Sequence, residues 1–143
     1  MTGEDVAARV HAYAWTDRKP GLERTRALLA ALGNPEKALK FVHITGSNGK
    51  TVIKEWIAEE LPAGMKCYRS PKSYNSQLGV PLSVLMIEGD EQLALIEAGI
   101  SKPGEMARLE RIIRPDVVVF TSIGDAHQEN FLNLEQKCDE KMV

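Results

Sequence analysis

The run HITGSNGKT, His43 to Thr51, contains the side chains and glycines that a bound phosphate needs. Gly46 and Gly49 can take backbone angles that other residues resist, which lets successive amides turn toward one anion. Lys50 is a cation suited to the β- and γ-phosphates of a nucleotide, and the Thr51 hydroxyl suits Mg²⁺. Thr45, Ser47 and Asn48 complete the turn. The common phosphate-loop spacing requires a glycine at position 44, where Ile44 stands, so this is a shorter loop of the same logic. Glu97 closes the apolar run QLALIE, and His127 follows the run VVVFT. If those runs are strands, both residues reach the carboxyl-terminal edge of a sheet, where α/β domains bind ligands.

The elements needed to hold these residues are legible around them. LKFVHIT reads as a buried strand leading into the loop, and TVIKEWIAEEL as a helix leaving it, periodic through Val52, Trp56, Ile57 and Leu61 and closed by Pro62. Upstream, Leu22, Leu28, Leu29 and Leu32 share one helical face, with Gly33 as a stop. MKCYRS is a short strand, and a helix is expected to start near Pro81, since proline is tolerated in a first turn. QLALIEAGI is a near-continuous apolar run, the pattern of a parallel strand covered on both faces. PGEMARLERIIRP is helical with Met106, Leu109, Ile112 and Ile113 inward, DVVVFTSIG is the clearest strand, and NLEQKCDEKMV is helical. Strands alternating with helices predict βαβ units in a three-layer parallel α/β sheet. The organisation expected is a helical lead-in over residues 1–39 and a phosphate-loop core over 40–143.

Bulk properties narrow the function classes. With 43% apolar and 27% charged residues the chain suits a soluble globular domain, and its formal charge of −2 argues against nucleic acid or a membrane surface as partner. No apolar stretch is long enough to span a bilayer and no signal peptide is visible, so a cytoplasmic location is expected. Cys67 and Cys138 lack any C-x-x-C or zinc spacing and read as reduced thiols, Cys67 as a core residue.

The loop TGSNGKT resembles that of the Mur ligase superfamily, whose form is T-G-[ST]-N-G-K-[ST]. RSPKSYNSQLGVPLSVL, EAGISKPGEM and IRPDVVVFTSIGDAHQENF continue the resemblance, in the family's order, over most of residues 40–143. They look most like the central domain of the branch that adds D-alanyl-D-alanine to a UDP-muramoyl tripeptide, in the version fused to alanine racemase. GLERTRALLAALGNPEKALKFVHITGSNGKT resembles instead the opening of a folylpolyglutamate synthase. That junction is open to a divergent homologue or a spliced chain.

The resemblance implies roles residue by residue. Lys50 would bind ATP phosphates and Thr51 a Mg²⁺ ion, while Glu97 and His127 would ligate a second Mg²⁺. The family's carbamoylated lysine, fourteen residues after the histidine, falls on Lys141. Reaction of a lysine with CO₂ needs a depressed pKa, and the nearness of Lys141 to Val143 leaves burial open. Asn75 matches a polar position lining the reactive phosphate and reads equally well as a helix cap or turn residue. Ser122 stands where the family commonly has asparagine. Arg69 and Lys72 read as solvated charges, and His11 and His43 as structural.

The chemistry implied is transfer of the ATP γ-phosphate to a substrate carboxylate, followed by attack of an amine on the acyl phosphate. Positioning and charge neutralisation by Lys50 and Mg²⁺ carry such a step, with no nucleophilic side chain. A complete ligase would take UDP-muramoyl peptide and D-alanyl-D-alanine. The roughly four strands expected suggest a truncated central domain, with an exposed sheet edge open to self-association. By itself this chain is expected not to ligate; the alternatives are a non-catalytic phosphate- or nucleotide-binding module, a designed or spliced fragment, and a folylpolyglutamate synthase-like ligase.

Overall fold

The computed structural model describes residues 39–143. The helix expected between Gly21 and Gly33, and all of the lead-in but Leu39, lie outside them. The elements in chain order are β1 (Lys40–Thr45), α1 (Lys50–Glu59), β2 (Cys67–Arg69), α2 (Gly79–Leu85), β3 (Leu93–Glu97), α3 (Glu105–Ile113), β4 (Val117–Phe120) and α4 (Leu134–Lys141), with a 3₁₀ turn at Gln128–Asn130. The four strands form one sheet in the order β2-β3-β1-β4, every pairing parallel. This is the three-layer α/β arrangement expected.

Register sorts the side chains onto two faces. Phe41 pairs with Ala94 and His43 with Ile96, so these four share a face. Phe41, Ala94 and Ile96 pack there with Val80 and Val84 of α2 and Met106, Leu109 and Ile113 of α3 as the main core. Ile44 and Leu95 point the other way, toward α1, and are fully buried. Each such side chain contributes about 1.5–3 kcal/mol by leaving water.

One helix and one residue, α1 and Cys67, differ from their expected form. The expected apolar stripe of α1 is out of phase: Val52 and Trp56 are exposed, whereas Lys54 is buried. The face turned to the sheet runs through Ile53, Lys54, Ile57 and Ala58 instead. The helix α2 begins at Gly79, near Pro81 as expected, and Pro81 falls among the first four residues, whose N–H groups need no helical acceptor. A Cβ at Gly79 would lie 2.8 Å from the Tyr74 carbonyl carbon, so that start is open to glycine alone. The strand β4, read as the clearest in the chain, lies at the sheet edge with Val117 and Val118 about half exposed. Cys67, expected in the core, is only partly buried on the opposite edge strand. Among the described residues no helix is long and apolar enough to cross a membrane.

Candidate phosphate and cation site

The turn from β1 to α1 is held by the segment Thr121–Gly124 that follows β4. Ser47 N–H donates to the Ser122 carbonyl at 2.8 Å, and Asn48 N–H to Ser122 Oγ at 3.2 Å. The Thr121 hydroxyl lies 2.6 Å from the Asn48 carbonyl, and Gly124 N–H donates to Ser47 Oγ at 2.9 Å. Ser122 thus bonds the loop through its hydroxyl and its carbonyl, so serine in place of the family's asparagine still engages it. Gly46 has φ 139°, and a Cβ on it would meet Thr121 Oγ1 at 2.1 Å and the Ser122 backbone at 2.9 Å. Gly49, at φ 81°, caps α1 in the left-handed region with open space around it.

The electrostatics of this turn are one-sided. The N-terminus of α1 carries no side-chain cap and no acidic residue in its first turn, so its amides and dipole face outward unneutralised. Lys50 adds a positive charge there, the unfavourable sign for a helix N-terminus, and donates to the carbonyls of Gly46 at 2.9 Å and Ser47 at 3.1 Å. Burial pulls its pKa below the ordinary lysine range while the Glu97 carboxylate opposes the shift. Lys141 comes from α4 to the same Gly46 carbonyl at 3.1 Å and is 3% exposed, which answers the question of its burial. Burial first, then the charges of Lys50 and Lys137, lower its pKa to about 8.

Glu97 is fully buried at the end of β3. The Thr51 hydroxyl donates to its Oε2 at 3.1 Å, and the Lys54 ammonium pairs with its Oε1 at 2.8 Å. Lys54 also donates to the carbonyls of Ser70 at 2.6 Å and Lys72 at 3.0 Å. Arg69 pairs with Glu55 at 2.6 Å on the surface, the solvated role expected of it. A hydroxyl and a carboxylate oxygen this close are hard oxygen donors that fit Mg²⁺.

A cleft of about 630 Å³ opens beside the loop, lined in part by Gly46, Lys50, Asn75, His127 and Lys141. Asn75 does not cap α2, whose start is bonded by Ser76 Oγ; its carbonyl instead accepts from Gly99 N–H at 2.7 Å. His127 adopts φ 60° and stands half exposed at the cleft, 4.0 Å from Glu129. Thr45 to Thr51 are therefore gathered in one turn, with Asn75, His127 and Lys141 around the cleft beside it and Glu97 beneath it. Among the described residues no three His, Cys, Asp or Glu side chains come together as a metal cluster, so Glu97 and His127 have no third partner of that kind.

Two buried lysines escaped the sequence reading. Lys54 is 1% exposed, and Lys137 is fully buried, bonded to the Gly124 carbonyl with its ammonium 5.9 Å from the Phe131 ring centre. The available signal was helical spacing: Lys54 stands three residues after Thr51, and Lys137 four before Lys141, each pair on one face.

A parallel sheet in this order, with a glycine loop joining its β1 to a helix, defines a phosphate-loop α/β domain. Residues 44–143 match the Mur ligase middle domain, and the chain belongs to that family. It is 40% identical over 117 residues to the UDP-N-acetylmuramoyl-tripeptide--D-alanyl-D-alanine ligase of Borreliella burgdorferi, covering 80% of this chain and 25% of that protein. The ligase of the same name from Bacillus subtilis is 32% identical, with 75% and 23% covered. Among solved structures, the MurF ligase of Thermotoga maritima in complex with ADP superposes with a TM-score of 0.72 at 30% identity, over 90% of this chain and 31% of that one. MurF from Acinetobacter baumannii gives a TM-score of 0.72 at 29% identity, over 82% and 26%. The chain thus spans about a quarter of the length of the curated relatives it matches. The stretch resembling a folylpolyglutamate synthase falls mainly before the matched segment.

Proposed function

We propose that this chain is the ATP- and Mg²⁺-binding core of an amide ligase that acts on a peptidoglycan precursor through an acyl phosphate. The observation that carries the reading is the convergence of the α1 N-terminus, Lys50 and Lys141 on one side of a cleft. Three positive features without a matching anion are the arrangement a polyphosphate stabilises. In this reading the open amides at the start of α1, from Gly49 to Thr51, would take phosphate oxygens, and Lys50 would exchange its carbonyl partners for the β/γ-phosphates. Thr51 and Glu97, 3.1 Å apart, would hold one Mg²⁺ between them rather than the separate ions the resemblance implied, with His127 at the cleft as a ligand of the second and Asn75 toward the transferred phosphate. A Mg²⁺ held there would supply charge neutralisation for transfer of the γ-phosphate to a carboxylate.

Lys141 is placed to become a carbamate. Its buried amine, with a pKa of about 8, has a substantial neutral fraction near physiological pH. Modification turns a donor to the Gly46 carbonyl into an acceptor, so the altered side chain would swing from that carbonyl toward the cleft. The full ligation, with a UDP-muramoyl peptide and D-alanyl-D-alanine as substrates, draws on parts of the relatives that this span does not match.

The test is calorimetric titration with ATP and ADP, with and without Mg²⁺. Mg²⁺-dependent binding that Lys50→Ala removes is the expected result. Equal binding by the Lys50 variant would sink the loop assignment. Nucleotide binding that is indifferent to Mg²⁺ would favour a phosphate-binding module without ligase chemistry.

A further inference from the structure

The two oxygens of the buried Glu97 carboxylate have different partners from the same helix. Oε2 accepts from the Thr51 hydroxyl and Oε1 is paired to the Lys54 ammonium, from residues one helical turn apart on α1. Lys54 is fixed in turn. Its ammonium donates to the Ser70 carbonyl at 2.6 Å and the Lys72 carbonyl at 3.0 Å, and forms an ion pair with Glu97 Oε1 at 2.8 Å, an oxygen that accepts no hydrogen bond; its side chain is 1% exposed. Ser70 closes the ring, since its hydroxyl accepts from Glu97 N–H at 3.1 Å and its own N–H donates to the Leu95 carbonyl at 2.9 Å. The exits of β2 and β3 and the first turns of α1 are thereby locked around one carboxylate.

We infer that Lys54 is a positioning residue that restricts Glu97 to ligating a cation through Oε2 alone, and so selects Mg²⁺ over Ca²⁺ at this site. The inference rests on the cation site proposed above. Mg²⁺ demands near-octahedral geometry at about 2.1 Å and is served by single carboxylate oxygens, whereas Ca²⁺ takes more ligands and accepts both oxygens of one carboxylate. With a buried ammonium 2.8 Å from Oε1, a cation that also reached that oxygen would be brought against a like charge, so the second bond is disfavoured. The lysine's charge also offsets that of Glu97, which lowers the pull of the site on any cation and leaves geometry to discriminate.

The measurement is calorimetric competition of Mg²⁺ against Ca²⁺ on the full chain with ADP, with Mn²⁺ followed by electron paramagnetic resonance as a direct probe of the ligand set. The wild type should prefer Mg²⁺. Lys54→Gln, which keeps donors toward the carbonyls but removes the charge, should narrow that preference by about tenfold, the scale on which partners of metal ligands act. A folded Lys54→Gln chain with unchanged preference overturns the inference. So does a wild type that binds Ca²⁺ as well as Mg²⁺, which needs no variant to observe. A wild type that takes neither cation with ADP overturns the cation site itself, and this inference with it.

Discussion

Lys50 and Lys141, from opposite ends of the described chain, donate to the same acceptor: their ammonium groups lie 2.9 and 3.1 Å from the carbonyl oxygen of Gly46. Two cations sharing one neutral acceptor repel each other, and the pKa of Lys141 is lowered first by its burial and then by this repulsion. The arrangement is costly without an anion and favourable with one.

That cost has a pH signature. A lysine whose folded-state pKa falls from 10.5 to about 8 binds its proton less readily folded than unfolded. The penalty is fully present below about pH 8 and is relieved as pH rises toward 10.5, so stability should increase across that window. Lys141→Met should flatten the rise, as read from urea midpoints against pH. A variant that keeps the same slope would contradict the assignment.

His43 supplies a second window, of acid type. It is fully buried with neither ring nitrogen bonded, and burial, then the charge of Lys141, lowers its pKa from 6.5 to about 4. The unfolded chain takes up the proton first, so stability should fall as pH drops from 6.5 through about 4. The loss is roughly 3 kcal/mol in all. His43→Leu should remove this acid limb without loss at neutral pH, because an apolar side chain leaves no buried polar atom unpaired. Thermal melts between pH 4 and 7 decide it.

Gly46→Ala should be among the most damaging single substitutions. Its Cβ would sit 2.1 Å from Thr121 Oγ1 and 2.9 Å from Ser122 backbone atoms, at φ 139°. The loop or the segment after β4 must move, at a cost of about 3 kcal/mol. Denaturant unfolding gives the cost, and a variant within 0.5 kcal/mol of wild type (~ the ordinary surface range) would mean that the loop relaxes freely.

His127→Ala should act differently from Lys50→Ala. His127 is half exposed and makes no close bond, so its removal should leave the fold and nucleotide binding in place while weakening the Mg²⁺ dependence. Titrations of nucleotide at fixed Mg²⁺ concentrations separate the two, and a loss of Mg²⁺-free binding on removing His127 would count against its reading as a metal ligand.

Much of the core could be read from the chain because its physics is local. The strands β1 and β3 are apolar runs of β-formers, and α3 buries Met106, Leu109 and Ile113 as its spacing required. The loop was legible because a Gly-Lys-Thr turn between a strand and a helix has few other uses. The phase of α1 was not legible. Trp56 and Val52 would ordinarily fix the inward face, but the sheet presents Glu97 to that helix, and the partner of a buried carboxylate is Lys54. Lysine is the residue least expected inside, and only the strand opposite explains it. The exposure of Val117 and Val118 was hidden for the same reason, since nothing within DVVVF tells that β4 stands at an edge.

The stapling of the loop to the segment after β4 has a kinetic consequence. The bonds that shape residues 47 and 48 come from residues 73 to 77 positions further along, so the turn cannot assume its form while the chain is being threaded through β2 and β3. Contacts of such high order cost loop-closure entropy before they stabilise anything, which slows folding. Amide exchange at Ser47 and Asn48 should accordingly report opening of the whole sheet rather than local fraying of a surface turn. Anion capture would then signal that the final strand has docked.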